Sequence, residues 1–303
     1  MEALQGSEYN EAWYQNRALA SLKKIDEGIW DYSDSLLLYV PGGDNEYEAA
    51  QRPDNAYAKL ITEPERAYLA DIAPKIAEEL PGEFEFIDLG PGTAHKEQYL
   101  FDECAKLGKK FVYKPVDISK HYLKMAEEYA SAQHIQVEPI LSAFEDLSSR
   151  LEPSIIPRFV SLGLTYINFA PAEILNLLKD IAGSNGKIFI NAQIRERADM
   201  AAITDAYSAD AASGMLDAKL KVLGINPQTD VSEILCDDAV KTWVSLQIVP
   251  PELATMGVKP GDKLLTFQSL RPSLEELEEA VSQASAKYKL LDTGHGFVGA
   301  VLG

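Results

Sequence analysis

The sequence predicts an α/β fold, a doubly wound and mostly parallel sheet carrying a smaller lobe. Apolar runs of strand length alternate with amphipathic runs of helix length between residues 83 and 195. The tail from residue 272 reads as one helix and two short strands, the form of an antiparallel closing hairpin. Two blocks, 1–62 and 196–271, break the alternation. The expected division is therefore a sheet domain from 63–195 and 272–303, and a lobe from 1–62 and 196–271.

The elements follow in order. "EFEFIDLG" is a buried strand that ends at Gly90. "HKEQYLFDECAKLG" places Tyr99, Leu100, Cys104 and Leu107 at helical spacing, with Gly108 as its stop. "KFVYKPVDI" is the second strand, and Ser119 is placed to cap the helix "KHYLKMAEEYASA". "IQVEPILSAF" and "RFVSLGLTYINF" read as the third and fourth strands. "PAEILNLLKDIAG" is a helix, with Pro171 at its start and Gly183 at its end. "GKIFINAQI" is the fifth strand. Right-handed crossovers bring the loops after these strands to one edge, where ligands bind. The first block, rich in aromatics, reads as irregular. The second reads as a long helical stretch followed by strand-like "VKTWVSLQIVP" and "DKLLTFQSL". The two blocks are expected to form a lid or substrate lobe.

Bulk properties bound the function. The 303 residues are 46% hydrophobic and 25% charged, enough for a large core plus a lobe. A net charge of −19 repels nucleic acid phosphates; it suits plain solubility, or the attraction of a cationic ligand. No apolar run of about 18 residues implies a membrane span, and the N-terminus lacks the pattern of a signal peptide. Cys104 and Cys236 are too few and too far apart for a disulfide framework or zinc site, and are expected to be buried thiols. A cytoplasmic protein without metal is expected. His95, His121, His134 and His295 form no ligand constellation and read as surface or loop residues.

The stretch "FIDLGPGTAHKEQ" carries the chemistry. A dinucleotide fingerprint needs a third glycine, but that position holds His95, and Pro91 separates Gly90 from Gly92. The Walker lysine pattern is absent too, so a phosphate cradle is disfavoured. S-adenosylmethionine (SAM) has no phosphates. It asks for a small-residue turn and for an acid after the second strand to hold its ribose. Gly90 and Gly92 supply the turn, Asp88 can orient it, and Asp117 is the ribose acid. Ala143 and Phe144, after the third strand, would flank the adenine. Asp117 also suits a plain role as an acid at a helix N-terminus.

These motifs carry a resemblance. "DLGPGTAHKEQYL" followed by "YKPVDISKHYL" resembles the histidine-specific SAM-dependent methyltransferase family. That family includes ergothioneine-type histidine Nα-methyltransferases and fungal dimethylallyltryptophan N-methyltransferases. Gly90, Gly92, Thr93, Lys96, Pro115, Asp117 and Ser119 match its pattern. The resemblance implies a class I SAM-dependent methyltransferase fold with a substrate lobe, and Lys96 as a ligand of the SAM carboxylate. "LGLTYINFAPAEIL" aligns Asn168 with the family's substrate asparagine. "TDAYSADA" aligns Tyr207 with its substrate tyrosine, and "AYAKLITEPE" aligns Tyr57 with its N-terminal aromatic. Each has a plainer reading too: a turn residue, a core aromatic, a packing tyrosine and, for Lys96, a solvated helix lysine.

The sequence departs from the family at the substrate end. An acid and a serine before an Arg-Pro pair hold the imidazole in the histidine enzymes. Aligning on Arg271-Pro272 puts Leu265 and Phe267 there. Neither can satisfy buried imidazole nitrogens, so an apolar or aromatic substrate side chain is expected. Tyr166, in the altered segment "LTYIN", can reshape the pocket. The reading is a SAM-dependent N-methyltransferase acting on the amine of an amino acid or a derived small molecule, in specialised metabolism. S-adenosylhomocysteine (SAH) is its product and a monomer or homodimer its state. Two alternatives stand beside it: a non-catalytic small-molecule binder on the same fold, and a nicotinamide-dependent oxidoreductase. The oxidoreductase needs phosphate chemistry that the turn lacks.

Overall fold

The computed structural model describes residues 9–40, 43–93, 95–208, 210–227 and 229–303. The chain divides into two compact units, Met1–Leu60 with Asp199–Leu270, and Ile61–Ala198 with Arg271–Gly303.

In chain order, α1 (Glu11–Ser21) starts on Asn10, whose Oδ1 accepts the Trp13 N–H at 3.0 Å. Strands β1 (Lys23–Asp26) and β2 (Ile29–Asp31) form a hairpin that turns through Gly28 at φ +69°. A 3-10 turn, Ser35–Tyr39, begins on Asp34, which caps the Leu36 N–H. Helix α2 (Gly43–Ala50) and a π-helical turn, Ala58–Thr62, follow. Among its described residues, the block expected to be irregular thus holds two helices and a hairpin. Helix α1 buries Tyr14 and Ala18 alone, too sparse a stripe to show a clear period in sequence, and the hairpin strands are only three and four residues long.

The second unit starts with α3 (Glu63–Glu79). Then come β3 (Glu83–Leu89), α4 (Gln98–Lys106), β4 (Lys110–Asp117) and α5 (Lys120–Ala132). Next are β5 (Ile140–Leu141), α6 (Phe144–Arg150), β6 (Arg158–Gly163), α7 (Pro171–Ala182) and β7 (Lys187–Gln193). The chain returns to the first unit for α8 (Met200–Tyr207), α9 (Asp210–Val222), β8 (Val231–Cys236), β9 (Ala239–Ser245), α10 (Pro251–Thr255) and β10 (Lys263–Leu270). It finishes in the second unit with α11 (Leu274–Ala284), β11 (Tyr288–Asp292) and β12 (Phe297–Leu302).

The second unit's sheet has the order β11-β12-β7-β6-β3-β4-β5. Strands β7 to β5 run parallel, and β12 and β11 close the sheet antiparallel. The chain builds outward from β3 through β4 to β5, then crosses to β6 on the other side of β3. That reversal opens a crevice beyond the C-terminal ends of β3 and β6. Phe86 on β3 centres the core, its ring 5.0 Å from Phe159, 5.4 Å from Tyr113 and 6.0 Å from Phe101. Tyr68 of α3 is buried against β12, and its hydroxyl donates to the Leu291 carbonyl at 2.6 Å.

Two strand expectations need correction. The third, read over 135–144, reduces to Ile140–Leu141 and one bridge between Val137 and Tyr113. Pro139 interrupts it by removing a ladder donor. The fourth stops at Gly163 (φ +55°), where a 3-10 turn, Leu164–Asn168, takes over.

The first unit's sheet has the order β1-β2-β10-β9-β8, with β2 parallel to β10 and the other pairs antiparallel. Lys219 of α9 is fully buried in this unit and donates to the carbonyls of Asp34 and Thr266, both at 2.8 Å. Its ammonium lies 4.7 Å from the Tyr32 ring centroid. Among the described residues no helix is long and apolar enough to cross a membrane.

Candidate active site

The glycine turn begins where β3 ends. The Gly90 N–H donates to the Val116 carbonyl at 2.9 Å, tying the turn to β4. Gly90 and Gly92 have φ of +70° and +55°, a region that disfavours residues with a Cβ. A Cβ at Gly90 would stand 3.6 Å from Phe144 Cζ and 3.8 Å from Thr165 Oγ1, narrowing the gap between these side chains. Just before the turn, Asp88 is buried and accepts the Tyr113 hydroxyl at 2.7 Å. Burial pushes its carboxyl up to about 6, against the pull of the Tyr113 hydrogen bond and of Lys96. Thr93 is half-buried in the same turn.

Asp117 ends β4. Its Oδ1 accepts the Ser119 N–H at 2.7 Å, and its carbonyl accepts the Ser142 N–H at 3.1 Å. These bonds fix the acid at the strand end and bring the chain after β5 beside it. Ser119 Oγ caps α5 at the Tyr122 N–H, as the sequence suggests. Ala143 is fully buried as the N-cap of α6, and Phe144 is the first residue of that helix.

A cavity, part of it open to solvent, reaches from the C-terminal ends of β3 and β6 to apolar residues of α3 such as Leu69 and Ile76. Asp88, Gly90 and Lys96 line it, with Glu65, Glu97, Gly163 and Thr165 among others. Lys96 pairs with Glu65 at 3.0 Å, and Glu65 also accepts from Asn191 Nδ2 at 3.1 Å. Burial, then the Asp88 charge, push Glu97 up to about 8. An acid-rich lining whose one ammonium, Lys96, is already paired with Glu65 makes a poor seat for a pyrophosphate. It suits a cationic sulfonium with an amino-acid end, so the residues present fit SAM.

The substrate candidates divide between the units. In the first unit, Tyr57 and Tyr207 meet edge to face at 5.5 Å, and Tyr207 lies 5.4 Å from Phe267. Phe267 and Leu265 are both buried on β10. Asn168 belongs to the second unit, half-buried at the end of the 3-10 turn after β6. Tyr166 of that turn is buried, which pushes its phenol up to about 12.

Four residues of this region escaped sequence reasoning. Glu65 looked like any acid in a helix's first turn, and Asn191 like a strand residue. Tyr113 and Glu97 carry no local signal, since their pairing with the cavity depends on the sheet. The four histidines are exposed. Cys104 is buried and its thiol is pushed up to about 11, while the Cys236 side chain lies outside the described residues. Among the described residues no group of His, Cys, Asp and Glu could hold a metal ion.

Comparison with known proteins bears on this geometry. No curated protein matches the chain. Among solved structures, a protein from Pyrococcus horikoshii OT3 is similar at TM-score 0.46 and 15% identity, over 84% of this chain and 97% of that one. A S-adenosylmethionine-dependent methyltransferase from Clostridium acetobutylicum ATCC 824 is similar at TM-score 0.43 and 16% identity, over 86% of this chain and 98% of that one. The profile of a family described as "Histidine-specific methyltransferase, SAM-dependent" matches residues 23–216, a span that takes in the glycine turn, Asp117 and Tyr207. The chain belongs to the histidine-specific SAM-dependent methyltransferase family and is a SAM-dependent methyltransferase.

Proposed function

We propose that the enzyme methylates the amine of an amino acid, or of a small molecule derived from one, whose side chain is apolar or aromatic rather than imidazole. The observation that carries this reading is the ring cluster Tyr57–Tyr207–Phe267, with Leu265 on the same strand as Phe267. The cluster offers apolar faces, and neither Leu265 nor Phe267 can accept a proton from an imidazole. An imidazole buried against them would leave nitrogens unsatisfied, at a cost of roughly 1–3 kcal/mol each.

The cofactor roles proposed are these. Gly90 and Gly92 let the backbone approach SAM, with Asp88 and Thr93 shaping the turn. Asp117 holds the ribose hydroxyls, Ala143 and Phe144 flank the adenine, and Lys96 takes the carboxylate. SAM supplies a methyl group already activated on a sulfonium. The protein's task is then to bring a neutral amine into line with it, which is proximity and orientation. Tyr57, Asn168 and Tyr207 are assigned to the substrate's polar groups. An ammonium substrate must lose a proton before attack, to a neighbouring oxygen or to water.

Tyr207→Phe and Asn168→Ala test these roles. Each is expected to raise KM for the amine about tenfold or more, the value of one or two hydrogen bonds, with SAM affinity unchanged. Unchanged KM in both variants would remove the two residues from the substrate site.

A further inference from the structure

The cavity beside the glycine turn holds more charge than the roles above use. Three acids and one lysine line its polar part: Glu65, Asp88, Glu97 and Lys96. Two of the three carboxylates are engaged. Glu65 is bound by Lys96 at 3.0 Å and by Asn191 at 3.1 Å. Asp88 accepts the Tyr113 hydroxyl at 2.7 Å. Glu97 is different: its Oε2 is shielded from solvent and has no hydrogen-bond partner among the described residues. An oxygen in that state asks for a cationic donor.

The amino-acid end of SAM offers one. Its α-carbon bears a carboxylate and an ammonium side by side. Lys96 and Glu97 are consecutive, oppositely charged, and both line the cavity. If this cavity seats that end, as the proposed role of Lys96 requires, the carboxylate goes to Lys96 and the ammonium needs an acceptor. We propose that Glu97 Oε2 is that acceptor, making Glu97 a cofactor-positioning residue that recognises the amino-acid end of SAM and SAH.

The electrostatics add a signature. Glu97 is faced by Asp88 from β3, Tyr113 from β4, Glu65 from α3, Tyr129 from α5 and Lys96 beside it. Burial first, then Asp88, raise its carboxyl to about 8, with Lys96 opposing and Glu65 adding. Without ligand, Glu97 therefore holds a proton near pH 7. An ammonium at Oε2 favours the carboxylate, so binding sends that proton to the buffer.

The test is calorimetric titration near pH 7 in two buffers of different ionisation enthalpy. The ligands are SAH and methylthioadenosine, which lacks the amino-acid end. The wild-type protein should release protons with SAH and not with methylthioadenosine. Glu97→Gln should weaken SAH about tenfold or more, abolish the release, and leave methylthioadenosine unchanged. Equal proton release with the two ligands in the wild type would overturn the assignment without any variant. Asp117→Ala separates the two levels of the claim. If it weakens both ligands while Glu97→Gln leaves their ratio unchanged, the site stands and the Glu97 role falls. If Asp117→Ala also changes neither, the proposed cofactor site itself falls, and Glu97 with it.

Discussion

In the proposed site Asp117 would serve the fold and the chemistry together. Its Oδ1 accepts the Ser119 N–H at 2.7 Å, which turns the chain into α5 and fixes the carboxylate at the end of β4. Replacing it by alanine removes both functions, whereas asparagine keeps an oxygen for Ser119 and loses only the charge. Asp117→Ala is expected to weaken SAM binding by roughly 1.5–3 kcal/mol for each ribose hydrogen bond lost, with Asp117→Asn intermediate. Titration of both variants checks this, and an unchanged affinity in Asp117→Ala would refute the ribose role. In the proposed substrate site Phe267 would act through shape. Its ring lies 5.4 Å from Tyr207, so Phe267→Leu should lower kcat/KM for an aromatic substrate severalfold while SAM affinity holds. Equal losses for aromatic and aliphatic amines would mean that Phe267 only supports the lobe. The turn at Gly90 and Gly92 and the acid that ends β4 stand out in the sequence because strand, turn and acid fall close together in the chain. Glu65 and Glu97 do not, because their partners lie on other elements: Glu65 on α3 meets Lys96 31 residues on. That contact exists only once α3 packs beside the sheet.

Among the elements, β12 is tightly constrained at Gly299. A Cβ on Gly299 would come within 2.8 Å of both Phe189 and the Tyr68 hydroxyl. Gly299→Ala must push α3 or β7 aside, and overpacking of this kind costs roughly 1–3 kcal/mol. Denaturant unfolding should show that loss, with SAM affinity of the folded fraction unchanged. Wild-type stability in the variant would mean that the strand yields more easily than its packing suggests. Strands β3, β4 and β7 were legible as long apolar runs, each seven or eight residues. Strand β5 was overread because the apolar letters around Pro139 do not reveal a missing donor. The elements of the N-terminal block were missed for the opposite reason. Their hairpin and turns are set by short-range caps such as Asp34 on Leu36, and by pairing of β2 with β10, more than two hundred residues away.

At the scale of the molecule, charge and pH connect the two units' chemistry to stability. Burial pulls Lys219 down from 10.5 to about 7, against Asp34 and Asp31. Between these values the unfolded chain binds more protons, so this contribution to stability rises with pH from about 7 to 10.5; its full penalty applies below 7. Asp88 and Glu97 act with the opposite sign. Raised from 3.8 and 4.5 to about 6 and 8, they bind more protons folded, so their contribution falls as pH rises from about 4 to 8. Lys219→Met should therefore flatten the rise in stability above pH 7, measured by urea titration at several pH values. An unchanged slope would mean that Lys219 is not the titrating group. SAM binding would add stability that grows with the logarithm of its concentration above Kd. The charge of −19 and the acid-rich lining of the cavity both suit a cationic cofactor. The central claim, methyl transfer from SAM to the amine of an apolar or aromatic amino acid or derivative, is tested most directly by one screen. Purified enzyme with SAM is offered the free amino acids and common aromatic amines, and products are read by mass and by the site of the added methyl. The expected result is methylated nitrogen on an apolar or aromatic substrate, with histidine untouched. Histidine as the preferred acceptor, or methyl found only on oxygen, would contradict it.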